Sequence, residues 1–530
     1  MSQLLFEYER IAPTTWAYLS SLLMIGLFFM FNRIWSVRNL DLVLLAMLSP
    51  GLLLVYDGRQ RFHTAEAANA ATVAAAESSG EFTTGDGSTL TTAGIAEPTD
   101  SASPPADEPA SDRFAVDRLT AENDATSARP DATLNSDGAN VVIDEAASEP
   151  ADLEAVGGDS TPLTPEQIAM QQARGRELFG FLWLLGVNLC LLIRLLIDPT
   201  MVRRPLLEPN LSTGGLAFIG CSLFVFLMAN VITSTAADQY STGPVLGPGY
   251  SLMDMLPAIP TTPEFDSTDA DQPAEPVAYA TAARLLAIFS QLAVVVGIVG
   301  IGYRHFANLR TGIGVAALYL MLPYTAQMTG RVDHVLPAAF LIWAVLWYRR
   351  PLVAGLFLGL ASGVVYYPLF LLPLWISFYW QRGLGRFLAG FAATIGVLVM
   401  LLALTADDFG AQIQRMFGLW LPFLDGLEGV WGLGWHPIFR LPVLAAFIAF
   451  SGLFAFWPAQ KNLGSLMSCS AAVMVAAQFW HGYGGGLYMA WYLPMLLLTI
   501  FRPNLEDRVA LVVLGEGWLR RQRLRVAAMF

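Results

Sequence analysis

The sequence predicts an all-α fold: a polytopic bundle of membrane-spanning helices interrupted by one long acidic insertion. Three observations predict it. Hydrophobic residues make up 55% of the chain and charged residues only 14%, far from the balance of a soluble domain. The apolar residues come in blocks of roughly 14 to 22, the length an α-helix needs to cross a hydrocarbon core of about 30 Å. The net charge of -13 sits in one stretch, because residues 57–177 hold 23 acids against 7 arginines while the remainder holds 20 acids and 23 bases.

The first two helices are expected near residues 15–31 and 40–56, within a leading segment of 1–56. No basic run precedes the first apolar block and no small-residue cleavage site follows it, so this helix is expected to stay in the membrane rather than leave as a signal peptide. Residues 57–176 are rich in Ala, Ser, Thr, Asp, Glu and Pro, as in "SASPPADEPASDRFAVD". Such a composition cannot bury enough apolar surface to offset its ordering entropy, which predicts a disordered extracytoplasmic insertion.

The main bundle is expected over 177–505, with helices near 179–197, 214–233, 283–303, 311–326, 335–348, 352–365, 367–380, 387–405, 440–457, 465–480 and 487–501. With the first two, that makes about 13 segments. "LVAGLFLGLASGVVYYPLFLLPLWISFYW" admits a single kinked helix about 44 Å long or a hairpin turning at Tyr366, Tyr367 and Pro368. Basic residues decide between them. Arg33, Arg38, Arg203, Arg204, Arg304, Arg310, Arg349, Arg350, Arg382, Arg386, Lys461, Arg502 and the tail arginines share one side only if the hairpin forms. By the positive-inside rule that side is cytoplasmic, with the N-terminus outside and the C-terminus inside, as in a bacterial inner membrane.

The outer loop 235–280 carries seven acids and no base. Its "GPVLGPGYSLMDMLPAIP" half, with Asp254, is expected to pack on the bundle, and "TTPEFDSTDADQPAEP" to act as a solvated linker. Within 406–439, Phe409, Ile413, Met416, Phe417 and Trp420 recur at helical spacing, which predicts an outer interfacial helix. Residues 506–530 end in "RRQRLR" among apolar residues, a basic amphipathic tail suited to an anionic leaflet.

Cys190, Cys221 and Cys469 fall inside apolar helices at unrelated spacings, so neither a disulfide framework nor a metal site is indicated. There is no P-loop, dinucleotide-binding glycine fingerprint, zinc spacing or Ser/His/Asp arrangement, and no feature of a nucleic-acid-binding protein. The chemistry-bearing stretch is "QMTGRVDHVLP". It puts Arg331, Asp333 and His334 in a short outer turn between two helices shorter than the roughly 20 residues of an upright span. A charge at mid-bilayer costs around 2.5–3.5 kcal/mol. The turn therefore reads as either an ion-paired cap or the floor of an outer cavity.

Gly330 to Asp333, the helix ending in Arg349 and Arg350, and "AGLFLGLASGVVYYPLFLLPLW" follow one another in an order that resembles the C-terminal half of the GT-C superfamily of membrane glycosyltransferases. The likeness is to the polyprenyl-phosphate-mannose-dependent type. "HGYGGGLYMAWYLPMLLL" is similar to that family's last helix. The likeness covers about 180 residues of mostly apolar motif. It implies a GT-C-like bundle that transfers a sugar from a polyprenyl-phosphate donor, a co-substrate and no resident cofactor, to an envelope acceptor. The implied base is an outer carboxylate, Asp57 or Asp254. Arg331, Asp333, His334, Arg284, His481, Tyr366 and Tyr367 are the implied substrate and lipid-phosphate contacts.

The departures are specific. Arg331 stands where the family has Gln, Val365 stands near its hairpin Lys, and no acidic pair occupies a short first loop. A catalytically degenerate GT-C-like scaffold is therefore the first alternative. A transporter or flippase is the second, weakened by the lack of an internal repeat and by Arg194 being the one charge well inside a helix, expected to snorkel to the inner surface. Tyr366, Tyr367, Trp431, Trp435, Trp480, Tyr483 and Tyr488 near the outer edge suit an aromatic belt or sugar-stacking faces.

Overall fold

The computed structural model describes residues 13–78, 164–201, 209–233, 277–405, 408–410, 413, 427, 429–432, 436–459, 461–482 and 484–503. The chain divides into two compact units, residues 1–69 with 165–530 and residues 70–164, and the bundle belongs to the first. All described regular structure is helical: α1 (Pro13–Phe28), α2 (Val37–Ala46), α3 (Leu48–Ser78), α4 (Pro165–Ile197), α5 (Thr213–Thr233), α6 (Val277–Arg304), α7 (Leu309–Met321), α8 (Pro323–Gln327), α9 (Val332–Leu346), α10 (Pro351–Val364), α11 (Leu372–Tyr379), α12 (Leu384–Thr405), α13 (Arg440–Leu453), α14 (Leu463–Trp480) and α15 (Leu493–Ile500), with short 3₁₀ turns between several of them.

Six helices among the described residues are long and apolar enough to cross a membrane: Val37–Val73, Pro165–Thr200, Thr213–Ile232, Arg284–Arg304, Leu384–Leu404 and Leu463–Trp480. Five shorter apolar helices, including Leu309–Met321, Val332–Leu346 and Pro351–Val364, pack among them. Local sequence sets their ends. Asn308 caps the Thr311 N–H, and Asn462 and Ser465 form a capping box on α14, each satisfying donors that a helix start leaves open. Pro323 separates α7 from α8, since proline cannot supply the N–H that continuation requires.

The stretch around Tyr366 and Tyr367 is a hairpin. Tyr379 at the end of α11 donates to the Tyr348 carbonyl at 2.6 Å, returning to the turn from which α10 started. α10 and α12 touch backbone to backbone, because a Cβ at Gly355 would strike the Phe387 carbonyl and one at Gly390 the Leu352 carbonyl, the close approach that small residues permit between membrane helices. α6 runs parallel to α9, with Gly297 against Ile342 and Trp343 donating to Ala293 O at 3.0 Å.

Three expectations are corrected. The sequence places the boundary of the disordered insertion at residue 57, yet α3 continues to Ser78 and α4 already begins at Pro165. Residues after 56 are short, straight-chain helix formers such as Ala, Gln, Arg and Glu, and the two helices brace one another: Arg59 pairs with Glu177 at 2.8 Å and Gly58 lies against the Glu177 backbone. Arg194 does not snorkel. Its Nε and Nη2 donate to Asp41 at 2.7 and 3.0 Å and its Nη1 to Asp198 at 3.4 Å, and Arg502 Nη2 reaches Asp198 at 2.7 Å. Asp41, Asp198 and Arg502 are buried, so the four charges neutralise one another between α2, α4 and the segment after α15. The outer loop also ends earlier than expected, since α6 starts at Val277.

Candidate functional site

Several short helices end at one level. α7, α9 and α10 hold 13, 15 and 14 residues, or about 20, 22 and 21 Å of rise, less than the roughly 30 Å core. α4, with 33 residues, is about 50 Å long and passes this level, meeting Gly486 at Leu184 and Leu185. The short helices therefore stop at a buried floor, built from the start of α9, the α10–α11 hairpin tip, the end of α14 and the loop before α15.

At the start of α9, Arg331 Nε and Nη2 donate to the two carboxylate oxygens of Asp333 at 3.1 and 3.2 Å. Asp333 and His334 are fully buried. The Tyr324 hydroxyl lies 2.7 Å from His334 Nδ1, His334 Nε2 lies 3.6 Å from Asp333 Oδ2, and Trp491 Nε1 donates to the Asp333 carbonyl at 3.2 Å. A ladder of rings leads away from this group. His334 stacks on Tyr488 at 4.4 Å, Tyr488 on His481 at 4.4 Å, His481 on Tyr367 at 5.1 Å and Tyr367 on Tyr366 at 4.2 Å. Trp480 meets both hairpin tyrosines edge-on, and Arg440 lies over its ring and donates to its carbonyl at 3.1 Å.

The loop that carries Tyr488 is fixed by Gln478. Its Oε1 accepts from Gly486 N and Tyr488 N, and its Nε2 donates to Tyr488 O. Gly484 and Gly486 adopt positive φ there, a conformation that glycine takes without strain.

Six candidates thus meet in one cluster: Arg331, Asp333, His334, Tyr366, Tyr367 and His481. Arg284 belongs at the same level. Counting back nine residues on each of the parallel helices from the Ala293–Trp343 contact brings it to about the level of His334, on the face that buries Ala287, Gln291 and Val294. Its buried Nε has no hydrogen-bond partner among the described residues, nor do Gln291 Nε2, Gln327 Nε2 and His334 Nε2. Asp57 stands apart, on the α3–α4 pair, where Arg61 binds both its oxygens at 2.9 Å and Arg176 one at 3.1 Å. Asp254, the loop 235–276, most of the 406–439 segment and the tail 506–530 lie outside the described residues.

Sequence reasoning missed Tyr324, Gln478, Trp491 and Arg440. Arg440 heads an apolar run and Gln478 is the one amide in α14, signals that become legible only once the partner loop is known. Among the described residues no group of three or more His, Cys, Asp or Glu could hold a metal ion.

Chemically, Asp333 is committed to Arg331 and orients its guanidinium, while the buried groups lacking partners are mostly N–H donors. Such a floor suits oxygen acceptors better than cations. Compared with known proteins, the chain matches no family model, no curated protein and no solved structure.

Proposed function

We propose that the protein is a GT-C-like glycosyltransferase with thirteen membrane crossings (N-terminus outside, C-terminus cytoplasmic, in a bacterial inner membrane), which moves a sugar from a polyprenyl-phosphate donor to an envelope glycan, lipid or protein acceptor at its outer face. One observation carries this reading. Residues from three separated stretches, Arg331 to His334, Tyr366 with Tyr367, and His481, form one continuous buried cluster, linked through Tyr488, where short helices end. In this reading Arg331, held by Asp333, and Arg284 face the lipid phosphate, and the rings flank the sugar. Asp57 or Asp254 takes the acceptor proton.

A specific observation favours a second reading, a catalytically degenerate scaffold: Asp57 is satisfied by two arginines in an exposed ion-pair group. The experiment that separates them uses membranes containing the wild type, Arg331→Ala, Asp57→Asn and Asp254→Asn, supplied with radiolabelled polyprenyl-phosphate sugars. Transfer by the wild type, lost in Arg331→Ala and in one of the aspartate variants, supports the enzyme. Absence of transfer from any tested donor, with protein abundance intact, supports the scaffold.

A further inference from the structure

Between residues 277 and 405 the sequence carries eight arginines and a single acid, Asp333. Asp333, Arg331 and Arg284 belong to the floor, and Arg310 donates to the carbonyls of Pro209 and Leu211. The other five, Arg304, Arg349, Arg350, Arg382 and Arg386, gather at the opposite end of the bundle. There Tyr379 reaches the Tyr348 carbonyl and His305 lies 2.8 Å from that of Leu346. None of the five forms an ion pair among the described residues. The neighbouring corner differs, since Arg194 and Arg502 are neutralised by Asp41 and Asp198. An inward-facing surface obeying only the positive-inside rule has no reason to be neutral in one corner and to lack ion pairs among the described residues in the next.

This arginine corner is also shaped. Arg304 and Arg350 both lie over the ring of Trp347, at 4.7 and 5.0 Å, and Arg349 lies over Tyr348 while donating to its hydroxyl. Stacking holds a guanidinium by its flat face and leaves its N–H edge for a planar or tetrahedral oxyanion. Tyr303 and Trp380 on the same end are 69% and 67% exposed, as aromatic residues are where apolar chains meet headgroups.

We propose that the Trp347–Arg350 turn, together with Arg304, binds the phosphate headgroup of an anionic phospholipid, with Arg382 and Arg386 on its border. The site is separate from the floor and does not depend on glycosyl transfer.

The full-length protein is reconstituted in nanodiscs of equimolar phosphatidylglycerol and phosphatidylcholine, then released into mild detergent for native mass spectrometry of retained lipid. The wild type is expected to retain phosphatidylglycerol preferentially. Arg304→Gln/Arg350→Gln is expected to lose about 30-fold of that preference, the effect of removing two arginines at a lipid surface, and Arg33→Gln, at the same end but outside the patch, to keep it. Equal retention of the two lipids by the wild type overturns the proposal without any variant, which covers a double variant that fails to fold. A double variant with the wild-type preference, an equal loss in Arg33→Gln, or full displacement of the lipid by millimolar inorganic phosphate also overturns it.

Discussion

Asp198→Ala is the sharpest test of how this bundle is held together. Asp198 is fully buried and accepts from Arg502 at 2.7 Å and from Arg194 at 3.4 Å. With an effective dielectric near 20, those two contacts are worth about 6 and 5 kcal/mol of Coulomb attraction before desolvation is subtracted. Deleting the carboxylate leaves Arg502 pressed on Gly464 without its counter-charge and leaves Arg194 with Asp41 alone. Removing one partner of a buried pair costs about 3–5 kcal/mol, mostly through the charge left behind. The double variant Asp198→Ala/Arg502→Ala should therefore cost clearly less than the sum of the single variants, with a coupling of about 0.5–3 kcal/mol. Unfolding in mixed micelles by stepwise addition of SDS, followed by tryptophan fluorescence, measures all three. An Asp198→Ala protein within about 1 kcal/mol of wild type, or strict additivity in the cycle, refutes the reasoning.

Three further outcomes follow from the geometry. Asp57→Ala should cost no more than about 1 kcal/mol in the same assay, because its pairs with Arg61 and Arg176 are largely exposed. Gly355→Ala should destabilise by about 1–3 kcal/mol, since its Cβ would enter the Phe387 carbonyl and force α10 and α12 apart; a neutral result would show that the two helices separate at little cost. Gln478→Leu removes the acceptor of two buried N–H groups and should cost about 2–6 kcal/mol at about 1–3 per orphaned group. It should also raise amide exchange at Gly486 and Tyr488 in hydrogen–deuterium measurements.

Much of the bundle is legible in the sequence because the bilayer imposes long apolar periods and because arginine counts alternate from turn to turn. The hairpin at Tyr366 is legible for that reason: only a turn there keeps Arg382 with Arg349. The turn at Arg331 also stands out, as charge inside an apolar context. What escapes is pairing over distance. Asp41 and Arg194 lie 153 positions apart, and nothing local marks Asp41 as the group that holds Arg194 inside the protein. The end of α3 escapes for a related reason. Composition speaks against a packed core beyond Asp57, and the helix persists because a second helix lies alongside it, with Arg59 on Glu177 and Gly58 on its backbone.

The arginines show how far one residue type can diverge once partners are known. In sequence, Arg310 and Arg304 read as markers of a cytoplasmic side and Arg194 as a charge inside a helix that reaches to the same side. In the fold Arg194 is neutralised by two buried aspartates, Arg310 spends its guanidinium on the Pro209 and Leu211 carbonyls, and Arg304 lies on Trp347 with no carboxylate near it among the described residues. The first two find partners within the protein. The third has no ion pair among the described residues, and the proposed lipid site would satisfy its donors with phosphate oxygens. Which arginines are structural and which are free to bind is thus decided by where the acids lie, and between residues 277 and 405 the chain supplies one acid, at the opposite end of the helix whose following turn carries Arg349 and Arg350.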